Sequence, residues 1–281
     1  MENALMGIGA WQQELLDPGG VRENGRKKGL GKTMIIDKGL GLSAFRDLLE
    51  VSGRHIDMVK LAFGTAVLYE PDIVLEKLQL AAKQGIIVMP GGTLMETAIV
   101  QGAAEPLMDK LCAIGFTGIE VSDGTIFLDR LRRTSLIKQA VQRGLFVVTE
   151  YGKKLAGSTI DADELAFTAE CDLRAGAQLV AVEARESGTN IGLFDEQGHC
   201  RQDLLEVIKG AIGEMEPLLW EAPLKHQQAE LLSAFGAGVH LGNVAPGDAL
   251  ALEAMRRGLR ADTFRLARGS AAYENGCEYM I

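Results

Sequence analysis

Charged and polar side chains stand at or just beyond the ends of short apolar segments throughout this sequence. In the first half of the chain they are Asp37, Lys38, Lys60, Thr93, Glu120, Ser122 and Asp123, and Thr93 directly follows the pair Gly91-Gly92. In the second half they are Glu150, Lys153, Lys154, Glu183, Arg185, Glu221 and Asn243. A charge inside an apolar run costs roughly a few kcal/mol to desolvate unless it is paired or binds a ligand. A single member such as Glu120 could be satisfied by an ion pair, but the whole set predicts a functional site.

The residue types in this set indicate chemistry on a small anion. Several carboxylates, with no cysteine or histidine at ligand spacing, favour a hard divalent ion, Mg²⁺ before Zn²⁺. Lysines nearby would neutralise an anionic substrate or, if desolvated, transfer a proton. The expected reaction is metal-assisted, acts on a phosphorylated or carboxylated molecule and passes through an enolate-like intermediate. A Schiff-base lysine of an aldolase would use much the same residues, so that alternative stays open.

Glycine-rich or turn-forming backbone at three strand ends could bind phosphate. The candidates are Gly91-Gly92-Thr93, Ser187-Gly188 and the turn after Asn243. Backbone N–H groups and helix N-termini favour bound anions. A Gly-Gly pair at a strand end is also what a tight turn needs, so each candidate has a purely structural alternative.

The elements that position these side chains alternate along the chain. Apolar runs typical of strands cover 33–37, 56–63, 86–90, 117–123, 145–151, 177–184, 217–222 and 238–243. Helical spacing covers 45–52, 71–85, 135–144, 162–176, 201–213, 226–236 and 246–259. Runs that are apolar at successive positions indicate strands buried on both faces of a parallel sheet. Eight such strands in about 250 residues predict an α/β fold, a (β/α)₈ TIM barrel, with its active site at the C-terminal strand ends.

The main structural alternative is an open, doubly wound sheet. That fold usually carries a G-x-G-x-x-G loop after its first strand, and residues 38–46 lack it. The domain prediction is therefore a short N-terminal extension over residues 1–32, rich in glycine and charge, followed by a single barrel domain over residues 33–281.

Charge and composition restrict the partners. The 281 residues carry 29 Lys and Arg against 38 Asp and Glu, a net charge of −9, which disfavours nucleic acid and anionic membranes. The scattered cysteines and histidines are Cys112, Cys171, Cys200, Cys277, His55, His199, His226 and His240. This scatter predicts reduced thiols. The sequence also has no basic segment at the N-terminus and no apolar run of about 20 residues, so we expect a cytoplasmic protein.

Longer motifs surround the strand ends. They are IDKGLG (36–41), VKLAFGT (59–65), PGGTL (90–94), GFTGIEVSDGTI (115–126), TEYGKK (149–154), EARESG (183–188), GLFD (192–195), WEAP (220–223), LGNVAP (241–246) and GLRADTF (258–264). Taken together, these motifs resemble the phosphosulfolactate synthase family, whose enzymes add sulfite to phosphoenolpyruvate in coenzyme M biosynthesis and which includes bacterial and plant stress-associated members. The resemblance spans nearly all of residues 33–264 and is carried by motifs in a single order, which is more specific than any one of them.

The resemblance implies a Mg²⁺-dependent addition in which sulfite attacks the methylene carbon of phosphoenolpyruvate and a lysine protonates C2. Lys154 is the expected acid, with Lys153 as its alternative, and burial beside the other lysine is expected to bring its pKa toward neutrality. The expected ligands of the metal or its water shell are Glu120, Asp123, Glu183 and Glu221, with Glu150, also assigned to the catalytic group, and Asp37 as further candidates. Lys38, Lys60 and Arg185 would bind phosphate, carboxylate or sulfite, and the resemblance implies a homo-oligomer, with a trimer as one expected form.

Three positions depart from the family pattern. Ala62 and Ala66 stand where glycine and serine are usual, and Tyr151 stands where valine is usual. These changes leave the charged set intact but could reshape the pocket around the sulfur nucleophile. Two alternatives therefore remain, a lyase or aldolase acting on another phosphorylated acid and a stress-related family member without activity.

Overall fold

Strands and helices alternate along the chain in a computed structural model, which describes residues 15–17, 20–155, 157–212 and 216–264. The strands are β1 (Thr33–Asp37), β2 (Met58–Leu61), β3 (Ile87–Pro90), β4 (Gly118–Val121), β5 (Phe146–Tyr151), β6 (Leu179–Val182), β7 (Leu218–Glu221) and β8 (His240–Val244). The helices are α1 (Val21–Lys27), α2 (Leu42–Ser52), α3 (Pro71–Ala82), α4 (Gly92–Val100), α5 (Ala104–Ile114), α6 (Arg130–Gln142), α7 (Ala162–Ala175), α8 (Gln202–Ala211), α9 (Lys225–Phe235) and α10 (Ala249–Arg256). Each strand lies on one of the eight segments predicted from the sequence.

The eight strands form one parallel sheet that curls into a nearly closed barrel. Their order is β3-β2-β1-β8-β7-β6-β5-β4, so β3 and β4 are the two ends of the hydrogen-bonded sheet. The ends meet, because Thr117 N donates to Val88 O at 3.2 Å and Val88 N donates to Thr117 Oγ1 at 3.0 Å. The predicted (β/α)₈ barrel is therefore confirmed, and the open-sheet alternative is wrong.

The interior of the barrel has an apolar floor. It consists of the buried side chains of Met34, Met58, Met89, Val148, Leu179, Ala181 and Leu219. Gly118 belongs to this layer, since a Cβ there would lie 2.7 Å from Ile87 Cγ2 and 3.3 Å from Met89 Cε. Alternate strand residues point to opposite faces, so the residue two positions after each floor residue also points inward, one layer nearer the C-terminal face. The floor thus closes the barrel beneath whatever occupies the next layer.

A second, larger core lies between the barrel and its helices. Outward-facing strand residues such as Val59, Ile119 and Val147 are completely buried. They pack in the same cluster as Leu136 of α6 and Leu165 of α7, which are also completely buried. Each such side chain contributes about 1.5–3 kcal/mol relative to an exposed one. Burial on both sides explains why the strands read as continuous apolar runs.

Two helices between β3 and β4 differ from the sequence expectation. Residues 92–100 and 104–114 form α4 and α5, although no helix was predicted there. The segment of α4 is almost uniformly apolar apart from Glu96, so it lacks the polar stripe by which an amphipathic helix is recognised. Glu96 is 2 % exposed, so this helix brings a buried carboxylate to the barrel.

The described part of the N-terminal extension packs on the barrel end opposite the C-terminal strand ends. The Arg22 guanidinium of α1 lies 3.0 Å from the Glu253 carboxylate of α10, and both side chains are buried. Gly31 N donates to Gly238 O at 2.8 Å just before β1 begins. Residues 1–14, 18–19 and 265–281 of the two predicted domain ranges, including Cys277, lie outside the described residues, as does Gly213 of a predicted helix.

Candidate active site

The twofold period of the strands gathers charged side chains in one layer above the apolar floor. Lys60 follows Met58, Glu150 follows Val148, Glu183 follows Ala181 and Glu221 follows Leu219, each two residues along its strand or just past its end. Glu120 follows Gly118 in the same way. All five charged side chains are at least 96 % buried. This layer faces a cavity of about 270 Å³ at the C-terminal end of the barrel.

Most of the predicted site residues line this cavity. They are Lys60, Gly91, Gly92, Thr93, Glu120, Glu150, Lys154, Glu183, Arg185, Glu221 and Asn243. The remaining lining residues are Ile36, Phe63, Thr125 and Glu186, which were not singled out from the sequence. Residues from all eight strands or the loops that follow them thus share one cavity, as the C-terminal ends of parallel strands allow.

Lys60 bridges two glutamates across the barrel. Its Nζ lies 2.7 Å from Glu221 Oε1 and 3.0 Å from Glu120 Oε1. Burial lowers the pKa of Lys60, but the two carboxylates outweigh that effect and raise the pKa well above its ordinary value. The second oxygens are also engaged, since Gly92 N donates to Glu120 Oε2 at 2.6 Å and Ala184 N donates to Glu221 Oε2 at 3.0 Å. Lys60 is therefore held as a fixed ammonium ion.

Lys154 enters the cavity from the loop after β5. Its Nζ lies 2.9 Å from Glu150 Oε1 and 3.7 Å from Glu183 Oε2. Burial lowers the pKa of Lys154, but the surrounding carboxylates outweigh it and raise the pKa. The expected shift toward neutrality is thus not found, because the neighbouring ammonium, Lys153 Nζ, turns away to Asp123 Oδ2 at 3.1 Å. A protonated lysine suits a proton donor and disfavours the Schiff-base alternative, which needs a neutral amine.

The pKa values of Glu150 and Glu183 are both raised. Burial, with the nearby carboxylate of Glu120, raises the pKa of Glu150 to about 7. Burial and the Glu150 carboxylate raise the pKa of Glu183 well above its ordinary value. Burial is the largest cause in both cases, and the neighbouring carboxylates add to it. A cation bound beside these carboxylates would lower both pKa values.

Three carboxylates are placed to bind a cation. One oxygen each from Glu120, Glu150 and Glu221 lies within 4.8 Å of the others, and all three residues are buried. Glu150 Oε1 accepts no conventional hydrogen bond from the described part of the chain, although it contacts the Lys154 ammonium. Hard carboxylate oxygens are what Mg²⁺ prefers, and three of them converge here. These residues suit the ion implied by the sequence.

Several predicted site residues lie elsewhere. The Asp123 carboxylate is bound by Arg133 Nη1 at 3.1 Å and by Lys153, and it does not line the cavity. The Asp37 carboxylate is paired with the fully buried Lys77 Nζ at 2.6 Å. These contacts, with an arginine and two lysines, hold the loops after β4 and β1.

Three more predicted residues lie around the cavity rather than in its wall. Ser122 is buried and donates to Glu96, and Ser187 is exposed. Lys38 is exposed at the mouth, with its Nζ 3.6 Å from Glu186 Oε2. Lys38 alone of the three is placed to meet an incoming anion.

Gly91 and Gly92 are needed for close packing. A Cβ on Gly91 would lie 2.7 Å from Phe63 N, and one on Gly92 would lie 2.3 Å from Ser122 Oγ. Gly92 N already donates to Glu120, so the start of α4 orients a carboxylate in this structure. Close packing explains both glycines, and phosphate binding by this pair remains a prediction.

Arg185 and Asn243 are the better placed groups for an anionic substrate. Both line the cavity in left-handed backbone conformations, with φ of 56° and 51°. Non-glycine residues adopt such conformations uncommonly, and they cluster at functional sites. Asn243 is 3 % exposed, and its Oδ1 accepts no hydrogen bond from the described residues.

Glu96 is the main site residue that the sequence reasoning missed. It contacts Lys154 Nζ at 3.6 Å but lies on α4, away from any strand end. The one signal available was a lone acid in an apolar segment directly after the Gly-Gly turn.

A nearly closed parallel barrel with buried glutamates and lysines around a cavity at its C-terminal strand ends defines a (β/α)₈-barrel enzyme. Residues 22–262 match the (2R)-phospho-3-sulfolactate synthase (ComA) family, and the chain belongs to that family. Membership makes it a lyase-type enzyme, as the resemblance implied.

Curated relatives extend over almost the same length. A phosphosulfolactate synthase of Methanothermobacter thermautotrophicus is 38 % identical over 242 residues, 85 % of this chain and 93 % of the relative. One of Methanocaldococcus jannaschii is 38 % identical over 236 residues, 83 % of this chain and 94 % of the relative. Among solved structures, an aldolase of Escherichia coli K12 shares the fold with a TM-score of 0.52 and 17 % identity, covering 88 % of this chain and 92 % of its own. In the described ranges, no helix has the length and apolar character needed to cross a membrane.

Proposed function

We propose that this protein adds sulfite to phosphoenolpyruvate, with Mg²⁺ bound, and forms (2R)-phospho-3-sulfolactate. The observation that carries the proposal is the layer of four buried glutamates and two lysines in the cavity of a chain that belongs to the synthase family. In the reaction a C–S bond forms at the methylene carbon, the electron pair of the double bond moves toward C2 and the carboxylate, and a proton is added at C2. The phosphate ester stays intact.

Glu120, Glu150 and Glu221 would hold the Mg²⁺ ion. Bound there, the ion would supply positive charge to the substrate carboxylate while negative charge develops on it. Arg185 and Asn243 line the same cavity, and their N–H groups would bind phosphate or sulfite oxygens, since a guanidinium fork suits an oxyanion. Lys38 at the mouth would attract the anions as they enter.

Lys154 is the proposed proton donor. Its ammonium reaches into the cavity, whereas Lys153 Nζ donates to Asp123 O at 2.7 Å and its side chain is 51 % exposed. Glu183, whose Oε2 lies 3.7 Å from Lys154 Nζ, would return a proton to it after each turnover. The geometry therefore supports Lys154 over Lys153 as the acid.

The test is to incubate purified protein with phosphoenolpyruvate, sulfite and Mg²⁺, with EDTA in a parallel sample. Sulfite should be consumed without release of phosphate, and the product should be the sulfonated adduct. Lys154→Ala should lower kcat by about 10²-fold or more, the usual contribution of a general acid, whereas Lys153→Ala, its matched neighbour, should change kcat far less. No adduct from the wild-type protein would refute the proposed reaction.

We infer further that the protein is a cytoplasmic homo-oligomer, and a trimer is the form to test first. Support for association comes from large apolar side chains in solvent, with Phe127 89 % exposed, Leu131 84 % exposed and Leu68 81 % exposed. Support for the location comes from the free thiols of Cys112, Cys171 and Cys200. Light scattering after size exclusion would give the mass, and a monomer of about 30.2 kDa would contradict association.

A further inference from the structure

Glu96 of α4 organises the loop after β4 from within. Its Oε1 accepts hydrogen bonds from Ser122 Oγ at 2.6 Å and from Gly124 N at 2.9 Å, and its Oε2 accepts one from Thr125 Oγ1. The carboxylate is 2 % exposed. Three donors from four consecutive residues thus hold one buried carboxylate in a single orientation.

The same loop also contacts the backbone and the aliphatic stem of Lys154. Lys154 N donates to Gly124 O at 3.1 Å, and the aliphatic stem then crosses the face of Gly124. A Cβ on Gly124 would lie 2.9 Å from both Cγ and Cδ of Lys154 and 3.0 Å from its Cε. Since Gly124 has no positive φ, only the closeness of the Lys154 stem requires glycine there.

The Lys154 ammonium group, at the end of this stem, lies among carboxylates from three different elements. Glu150 lies on β5, Glu183 lies just past β6, and Glu96 lies on α4 with its Oε1 3.6 Å from Nζ. Glu96 is the member of this set whose orientation is fixed by hydrogen bonds from the loop that carries Gly124. Glu96 therefore links the loop that contacts the aliphatic stem of Lys154 to the position of the Lys154 ammonium group.

We propose that Glu96 and Gly124 are positioning residues for Lys154, which fix where its ammonium group lies in the cavity. The consequence for catalysis rests on the proposed role of Lys154 as proton donor. The positioning itself does not, because it can be measured without turnover. Glu96→Gln isolates the charge, since an amide oxygen can still accept from Ser122 and Gly124 while the Thr125 hydroxyl rotates to accept from the amide nitrogen. Gly124→Ala tests the close contact with the Lys154 stem, because the new methyl group would meet only that flexible side chain.

The experiment measures how fast each lysine is reductively methylated by formaldehyde and cyanoborohydride, peptide by peptide, in the folded protein. Lys153 is the internal control, because it is adjacent in sequence but contacts neither Glu96 nor Gly124. Glu170→Gln is the control variant, because Glu170 pairs with Arg174 on the outer surface of α7 and its side chain is 55 % exposed. Circular dichroism and thermal unfolding establish that each variant is folded.

Both positioning variants should raise the methylation rate of Lys154 about 10-fold, the factor expected for the loss of one strong charge or contact around an amine, and leave Lys153 unchanged. In the synthase assay they should lower kcat by about 10- to 100-fold while KM for phosphoenolpyruvate stays within about twofold, as for a misplaced catalytic group. If Lys154 is methylated at the wild-type rate in both variants, the positioning role is overturned. If its rate rises but wild-type protein makes no adduct, the positioning stands and the proposed function fails.

Discussion

Glu150→Gln should remove much of the pH dependence of the protein's stability between pH 5 and pH 8. Glu150 is buried beneath the cavity, and its pKa is raised to about 7 by burial and by the nearby Glu120 carboxylate. In the unfolded chain the pKa of the same carboxyl group is near its ordinary value of 4.5. Between these two values the folded state binds more protons than the unfolded state, so stability falls as the pH rises.

The magnitude follows from the two pKa values. At about 1.4 kcal/mol for each pH unit, the rise from 4.5 to about 7 corresponds to about 3 kcal/mol of stability lost by pH 8. At pH 5 the wild-type side chain is a neutral acid in the folded state, which a glutamine amide closely resembles. The variant should therefore lie within about 1 kcal/mol of the wild type at pH 5 and exceed its stability by up to about 3 kcal/mol at pH 8.

Urea unfolding at pH 5, 6, 7 and 8 in the presence of EDTA measures this difference. Glu206→Gln is the control, since Glu206 forms an exposed pair with Lys209 and its side chain is 71 % exposed. Stability curves for Glu150→Gln and wild type that run parallel across this range would refute the proposed titration of Glu150. Added Mg²⁺ should stabilise the wild type most at high pH, because it favours the ionised carboxylate, and should stabilise Glu150→Gln less.

Two further predictions concern the layer around the cavity and are also measured by urea unfolding. Lys60→Met should destabilise the protein by about 3–5 kcal/mol at pH 8, because it leaves Glu120 and Glu221 buried without their cation. Lys83→Met, at an exposed site, should have little effect. Gly91→Ala should cost about 1–3 kcal/mol, because its Cβ would meet backbone atoms of Phe63 that cannot rotate away. Gly64→Ala, with open space around its Cβ, should change stability by less than about 0.5 kcal/mol; equal losses for the two glycines would contradict the packing explanation.

The strands and their charged ends were predictable because both depend on local sequence. A strand buried on two faces reads as a continuous apolar run, as at Val147–Val148, whatever lies far away in the chain. An acid such as Glu221 at the end of such a run is conspicuous, because only a charged partner or a ligand can offset the cost of its desolvation. These features identified the barrel and most of the residues that line its cavity.

Which charges meet was decided by the tertiary structure. Lys60 and Glu221 are 161 residues apart, and only closure of the barrel brings Nζ and Oε1 to 2.7 Å. The same closure directs Lys153 and Asp123 toward each other outside the cavity, although their residue types are those of the site. It also raises the pKa of Glu150 and of Lys154, because a shift depends on burial and on every charge nearby.

The sequence by itself determined where along the chain the strands lie and which alternate strand residues point into the barrel. It also determined which charged residues stand at the C-terminal strand ends. Each of these features depends only on residues that are neighbours in the chain. The tertiary structure alone decided that Glu96 joins the site from a helix, that Gly91, Gly92 and Gly124 are required by close approach, and that Lys154 rather than Lys153 enters the cavity. Those outcomes depend on distances between segments that are remote in the chain. Electrostatic and steric interactions act through space, so local pattern cannot specify them.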